Sequence, residues 1–142
     1  MSWNESKLHY DIKELLISRG HSILARDNPK SSATVPKSKI RINDSLYYVD
    51  IISEKDNSLY LTEIKYDPTE SDIQSDIDKL DFILQHPDAI TDLVDQINIE
   101  TKQPLSTYSF CPVIGVNQYS PTLSEENYII CNDTVKDCRF DV

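Results

Sequence analysis

Two nearly apolar runs, YYVDII and LYLTEIKY, lie between Tyr47 and Tyr66, and each carries charge in its interior: Asp50 in the first, Glu63 and Lys65 in the second. Side chains alternate across a strand, so Glu63 and Lys65 share one face and Ile64 points to the other. A two-residue turn at Asp56-Asn57 sets Lys55 opposite Ser58. The same register carried outward places Asp50 directly across from Glu63, with Cβ atoms roughly 4.5–5.5 Å apart. Two carboxylates that close repel unless a positive charge stands between them. A divalent cation answers this economically, since Mg2+ and Mn2+ take oxygen ligands and leave positions for water and a substrate phosphate. Lys65 would then lower the pKa of an attacking water or stabilise charge developing on phosphorus. The simpler alternative is a solvent-facing strand with an ordinary cross-strand ion pair. Against it, runs so continuously apolar read as strands buried on both faces, where charges must be paired or coordinate metal.

The elements that position these groups are read on either side. Leu8, Ile12, Leu15 and Leu16 recur at helical spacing, so a helix is expected from about Asn4 to Arg19, with Gly20 as its stop. HSILAR fits a short strand, and DNPKSSATVPKSK, from Asp27 to Lys39, is a polar loop carrying Lys30, Lys37 and Lys39. IRIN, SLYYVDIIS and SLYLTEIKY follow as strands. Asp67-Pro68 breaks the last of these. A helix from about Thr69 to Gln85 then presents Ile73, Ile77, Leu80 and Leu84 as one stripe, with a capping acid or hydroxyl near Thr69 and Glu70. His86-Pro87 ends it, DAITDLVDQIN gives a shorter helix, and YSFCPVIGVN and NYIICN are two further strands around the turn-rich QYSPTLSEE. The order α-β-β-β-α-α-β-β, in one domain over residues 1–142, predicts an α/β fold with helices packed against a mixed sheet.

Asp50 followed by Glu63-Ile64-Lys65, behind a helix ending at Gly20 and ahead of a helix bearing Gln74, resembles the PD-(D/E)XK nuclease superfamily from Ser6 to Gln85. The C-terminal strands are compatible with it. That resemblance implies a restriction-endonuclease-like fold and a metal-dependent endonuclease. Asp50, Glu63 and the backbone carbonyl of Ile64 would hold the ion, and Lys65 would be the catalytic lysine. Val49 stands where the motif's proline would be. A first-helix residue, often Glu, usually completes such a site; here His9 takes that place. This is similar to the His-containing branch that includes viral cap-snatching endonucleases, and small excision-control proteins of cyanobacteria have a similar helix–Gly pattern. An imidazole ligand favours Mn2+ over Mg2+, because nitrogen donors suit transition metals better. Glu5, one turn before His9, is placed to orient it, and Glu14 is the rival first-helix acid, off that stripe. Gln74 matches the Gln that touches the active site or the nucleic-acid backbone in such families. Taken singly, His9 also reads as a boundary core residue and Gln74 as a solvated helix residue.

Composition bounds these readings. A net charge of −10, from 14 Lys and Arg against 24 Asp and Glu, argues against a protein that coats nucleic acid. The charge is divided: eight Lys and Arg against four acids in residues 1–41 give +4 there, leaving −14 for the remainder. A basic edge, with Lys30, Lys37 and Lys39 approaching phosphate, would thus join an acidic body that repels it. Cys111, Cys131 and Cys138 lack CxxC spacing, encode neither a disulfide framework nor a zinc site, and are expected as small buried apolar residues. No apolar run approaches the ~20 residues that span a bilayer, and the first residues carry no secretory signal, so a cytoplasmic protein with no membrane partner is expected. Tyr47, Tyr48, Tyr60 and Tyr66 are expected to pack in and across strands rather than to stack on bases. The resulting expectation is a Mn2+- or Mg2+-dependent nuclease acting on DNA or RNA, as a homodimer where a duplex is cut. Its rival is a non-catalytic accessory or regulatory module of the same fold that binds a partner protein through its acidic C-terminal half.

Overall fold

In the computed structural model, which describes residues 3–27, 37–97 and 109–140, Leu8, Ile12, Leu15 and Leu16 form the expected buried stripe on helix α1 (Trp3–Ser18). Gly20 ends it at φ +93°, with the His21 amide donating to Leu16 O and the Gly20 amide to Ile17 O, both at 3.0 Å. A left-handed residue after the last turn lets these two bonds form, and glycine adopts it without a Cβ clash. Then come β1 (Ser22–Arg26), β2 (Lys39–Ile42), β3 (Ser45–Tyr48), β4 (Ile51–Lys55), β5 (Ser58–Lys65), α2 (Glu70–Leu84) and α3 (Pro87–Ile97). After β6 (Ser109–Val116), a short 3-10 turn at Pro121–Leu123 leads to β7 (Tyr128–Cys131) and β8 (Lys136–Arg139).

Six strands make one sheet in the order β1-β4-β5-β6-β7-β8, while β2 and β3 form a separate ribbon. β5, β6 and β7 run parallel, and the remaining neighbours antiparallel. α1 covers one face, packing Leu8, Ile12 and Leu16 against Ile51, Tyr60, Ile64 and Ile129. α2 and α3 cover the other, packing Ile73, Ile77, Leu80, Ile83 and Ile90 against Ile52, Leu59, Leu61 and Ile114. The chain therefore forms the helix-flanked mixed α/β sheet expected from its sequence. Among the described residues no helix is long and apolar enough to cross a membrane.

Local details differ from the sequence reading. SLYYVDIIS is not one strand: Tyr47 and Tyr48 pair with β2, opposite Ile40 and Lys39, and the main sheet resumes only at Ile51. Long-range bonds hold this break. The Val49 amide donates to Ser38 O (3.2 Å), the Ser38 hydroxyl donates to Val49 O, and the Asp27 amide donates to Asp50 O (3.0 Å). Tyr47 packs on Phe82 and Tyr60 is buried, but Tyr48 stays 36% exposed. β8 adds a strand whose sequence, KDCR, has no apolar alternation to announce it. On α2, Ile83 rather than Leu84 completes the buried stripe. All three cysteines are free thiols; Cys131 is buried, and Cys111 and Cys138 are half-buried.

Gly115, in β6, leaves room for Ile12 of α1 to press against the sheet. A Cβ there would stand 2.7 Å from Ile12 Cδ1 and 3.2 Å from Ile64 Cγ1. Ile12 is fully buried, so its methyl has little room to swing away. Gly115→Ala is expected to cost about 1 kcal/mol or somewhat more through overpacking, seen as a lower urea midpoint.

Candidate active site

The hairpin turn sets the site's register. Asp56 and Asn57 both have positive φ (50° and 63°), the conformation of a two-residue turn that matches strand twist. Lys55 accordingly pairs with Ser58, and the ladder runs to Ile51 opposite Thr62. Asp50 lies one step beyond the last pair of that ladder, in a bend rather than in the strand, so the directly opposed Asp50–Glu63 pairing expected from sequence is not part of the ladder. Asp50 Oδ2 accepts a 2.7 Å hydrogen bond from the Ile64 amide, which draws the carboxylate over the end of β5.

Glu63 is 5% exposed and points to the α2 side, where Lys79 meets it. The Lys79 ammonium is 2.8 Å from Glu63 Oε1 and donates to Tyr48 O. Lys79 is thus the positive partner of Glu63 Oε1, acting on it through both charge and hydrogen bonding. Burial first, and the Asp50 charge second, push Glu63 far above the ordinary carboxylate range; Lys79 opposes both. Burial also raises Asp50, against the opposing fields of His9 and Lys79 and the Ile64 amide bond. Both shifts have the same sense, because adjacent carboxylates withdrawn from water cannot both ionise cheaply.

Two groups at this site were not anticipated from sequence, Lys79 and Asp76. Burial lifts Asp76 to about 6 while Lys65 and Lys79 hold it down, and its Oδ2 is buried without a hydrogen-bond partner among the described residues. Both residues flank the apolar stripe of α2, each one position before a buried residue, Ile77 or Leu80. A lysine and an acid bordering a buried stripe, on the helix right after the Glu63-Ile64-Lys65 strand, were the available signal.

The other sequence candidates divide. His9, 4% exposed on α1, stands near enough to Asp50 that a charged imidazole would stabilise the anion. Lys65 is half-buried and offsets the charge of Asp76 and Asp72. Glu5 is half-buried one turn before His9. Glu14 does not join the site: it is exposed, with its Oε1 3.2 Å from the Lys13 ammonium. Gln74 is exposed too, and its Nε2 donates to Asp78 at 2.9 Å, so it faces solvent along α2 rather than the carboxylates. Lys37 and Lys39 are exposed at the start of β2, and Lys30 lies outside the described residues.

Among the described residues no three His, Cys, Asp or Glu side chains are gathered as a finished metal cage. The donor chemistry nonetheless fits a hard divalent cation. Asp76 Oδ2 is buried with no hydrogen-bond partner among the described residues, and burial with neighbouring carboxylates raises Asp50, Glu63 and Asp76 together, so the cluster calls for positive charge. Lys79 supplies that charge in this structure.

The fold and site together define a helix-flanked mixed sheet with a buried Glu63 and a half-buried Asp50 at the end of its central hairpin. No family model and no curated protein sequence matches the chain. Two solved structures are similar to it. One is an XisH family protein from Nostoc punctiforme, at 12% identity and TM-score 0.44, covering 87% of this chain and 88% of that one. Another is a fdxN element excision controlling factor protein from Anabaena variabilis, at 11% identity and TM-score 0.47, covering 94% and 98%. Likeness at this level does not extend to residue roles, so the functional reading rests on the chain's own side chains.

Proposed function

We propose that the protein is a divalent-metal-dependent nuclease that hydrolyses phosphodiester bonds of DNA or RNA in the cytoplasm, in the manner of the PD-(D/E)XK enzymes. The observation that carries this reading is the juxtaposition of half-buried Asp50 with buried Glu63, whose Oε1 lies 2.8 Å from the Lys79 ammonium. Asp50, Glu63, the Ile64 carbonyl and His9 would hold Mn2+ or Mg2+. Such an ion, when bound, polarises the phosphodiester and makes a bound water a competent nucleophile. Asp50 is oriented for this by the Ile64 amide, and Glu63, pushed up to about 8 chiefly by burial, would have to give up its proton to bind the ion. Lys65, on the Glu63 face of β5, stabilises charge developing on the phosphate. On a duplex, two copies would be needed to cut both strands.

Lys79 also supports a second reading. It satisfies the pair's charge without any ion, as a retired site would, and the protein would then be an accessory module binding a partner through its acidic C-terminal half. Cleavage assays on single- and double-stranded DNA and RNA with Mn2+ or Mg2+ separate the two. Lys65→Ala is expected to slow cleavage by roughly 10²–10³-fold while leaving Mn2+ affinity within a few-fold of the parent's. Glu63→Ala is expected to abolish both. If either variant cut as fast as the parent, or the parent gave no calorimetric heat with Mn2+, the nuclease reading would be lost.

A further inference from the structure

We propose that the outward face of the β2–β3 ribbon is a docking track for single-stranded nucleic acid, leading its backbone into the Asp50–Glu63 site; this deepens the nuclease reading and takes its direction from it. Strand alternation turns Ile40 and Ile42 into the core and leaves Lys39 and Arg41 outside. In the ribbon's register Lys39 lies opposite Tyr48, and Arg41 opposite Leu46. Tyr48 and Leu46 are 36% and 41% exposed, where an ordinary outward ribbon face would be polar. Each cation therefore has a flat or apolar neighbour across the strand, which is the pairing that phosphate and an unstacked base require.

The charge is complementary as well. Neither Lys39 nor Arg41 enters an ion pair with a described residue, and exposed Lys37 extends the same basic edge. Lys39, Arg41 and Leu46 also line a cleft of about 370 Å³ against Ala89, Asp92 and Leu93 of α3. In a chain of net charge −10, this is a local place where a polyanion meets positive charge.

The ribbon ends at the site. Tyr48 O receives the Lys79 ammonium that also touches Glu63, and Asp50 is two residues further along the chain. An unpaired strand suits this face because an exposed ring stacks only on an unstacked base, and the acidic body would repel a second backbone.

The test is fluorescence anisotropy with short fluorescein-labelled oligothymidylate and oligouridylate in EDTA, where no cleavage intervenes. Arg41→Glu and Tyr48→Ala are each expected to weaken binding about tenfold, Tyr48→Phe to preserve it, and Lys39→Gln to lower the salt dependence. Unchanged thermal unfolding of Tyr48→Phe and Lys39→Gln keeps the comparison free of folding defects. Binding by Tyr48→Ala equal to the parent's would overturn the track, as would equal competition by duplex DNA or by polyglutamate. Oligomer binding that depends on the ribbon, with no cleavage once Mn2+ is added, would sink the nuclease reading and leave the track standing. Cleavage with ribbon variants that bind as the parent does would have the opposite meaning.

Discussion

Lys79→Met is expected to weaken the free protein while strengthening its hold on Mn2+. The ammonium sits 2.8 Å from Glu63 Oε1, so its removal strands a buried acid beside Asp50 with no cation between them. Deleting one partner of a fully buried ion pair costs about 3–5 kcal/mol, but the Lys79 side chain is 31% exposed and partly screened, so about 2 kcal/mol is expected in urea denaturation. Metal affinity should move the other way. Two unit charges 4 Å apart interact by about 4 kcal/mol at an effective dielectric of 20, so removing a cation next to the ion's place should tighten Mn2+ binding roughly tenfold or more. Titration calorimetry on the refolded variant reads this directly. A variant that bound Mn2+ no tighter than the parent would show that the ammonium and the ion do not compete for the acids.

The second large effect concerns protons. Glu63, Asp50 and Asp76 all bind a proton more tightly folded than unfolded, with Asp76 raised from 3.8 to about 6 and Glu63 higher still. A raised folded value means that the stabilising contribution is complete below the unfolded pKa and is lost as pH rises through the folded one. The metal-free protein should therefore lose stability from about pH 4 upward through neutrality, on the order of a few kcal/mol for Glu63. Glu63→Gln should flatten the upper part of that curve and Asp76→Asn the lower part, as followed by urea midpoints across the pH series. Linkage makes a companion demand: Mn2+ uptake by the parent should release protons and strengthen with pH. A parent whose stability climbed steadily over the same range would contradict the placement of these acids.

The part of the site written in local pattern was legible in the sequence. Strand alternation placed Glu63 opposite Ile64 in orientation, the Asp56-Asn57 turn fixed the register, and the hairpin carries both as expected. The stripe of α1 and the Gly20 stop were legible for the same reason, since helical period and a left-handed residue are properties of a few neighbouring positions. What escaped depends on docking. Asp76 and Lys79 acquire meaning only once α2 is rotated against β5, and sequence period sets a helix's apolar face but not what its border touches. The break at Val49-Asp50 is made by Ser38 and Asp27, far away in the chain, and no window around Asp50 contains them. Glu14 lies away from the acids, as its place off the α1 stripe implies, and Gln74 turns to Asp78, because helical period does not decide which way a helix presents its margin.

The missing side chain at Gly115 gives the protein a mechanical adjustment of its own chemistry. Ile12 rests almost on that backbone, and His9 rides on the same rigid helix less than one turn away. How near His9 stands to Asp50 is thus tied to how closely α1 seats on β6. A methyl at this point would act as a shim, lifting the histidine without altering Asp50, Glu63 or Lys65. Graded wedges of this kind would reveal how far the Asp50 carboxylate depends on where His9 stands.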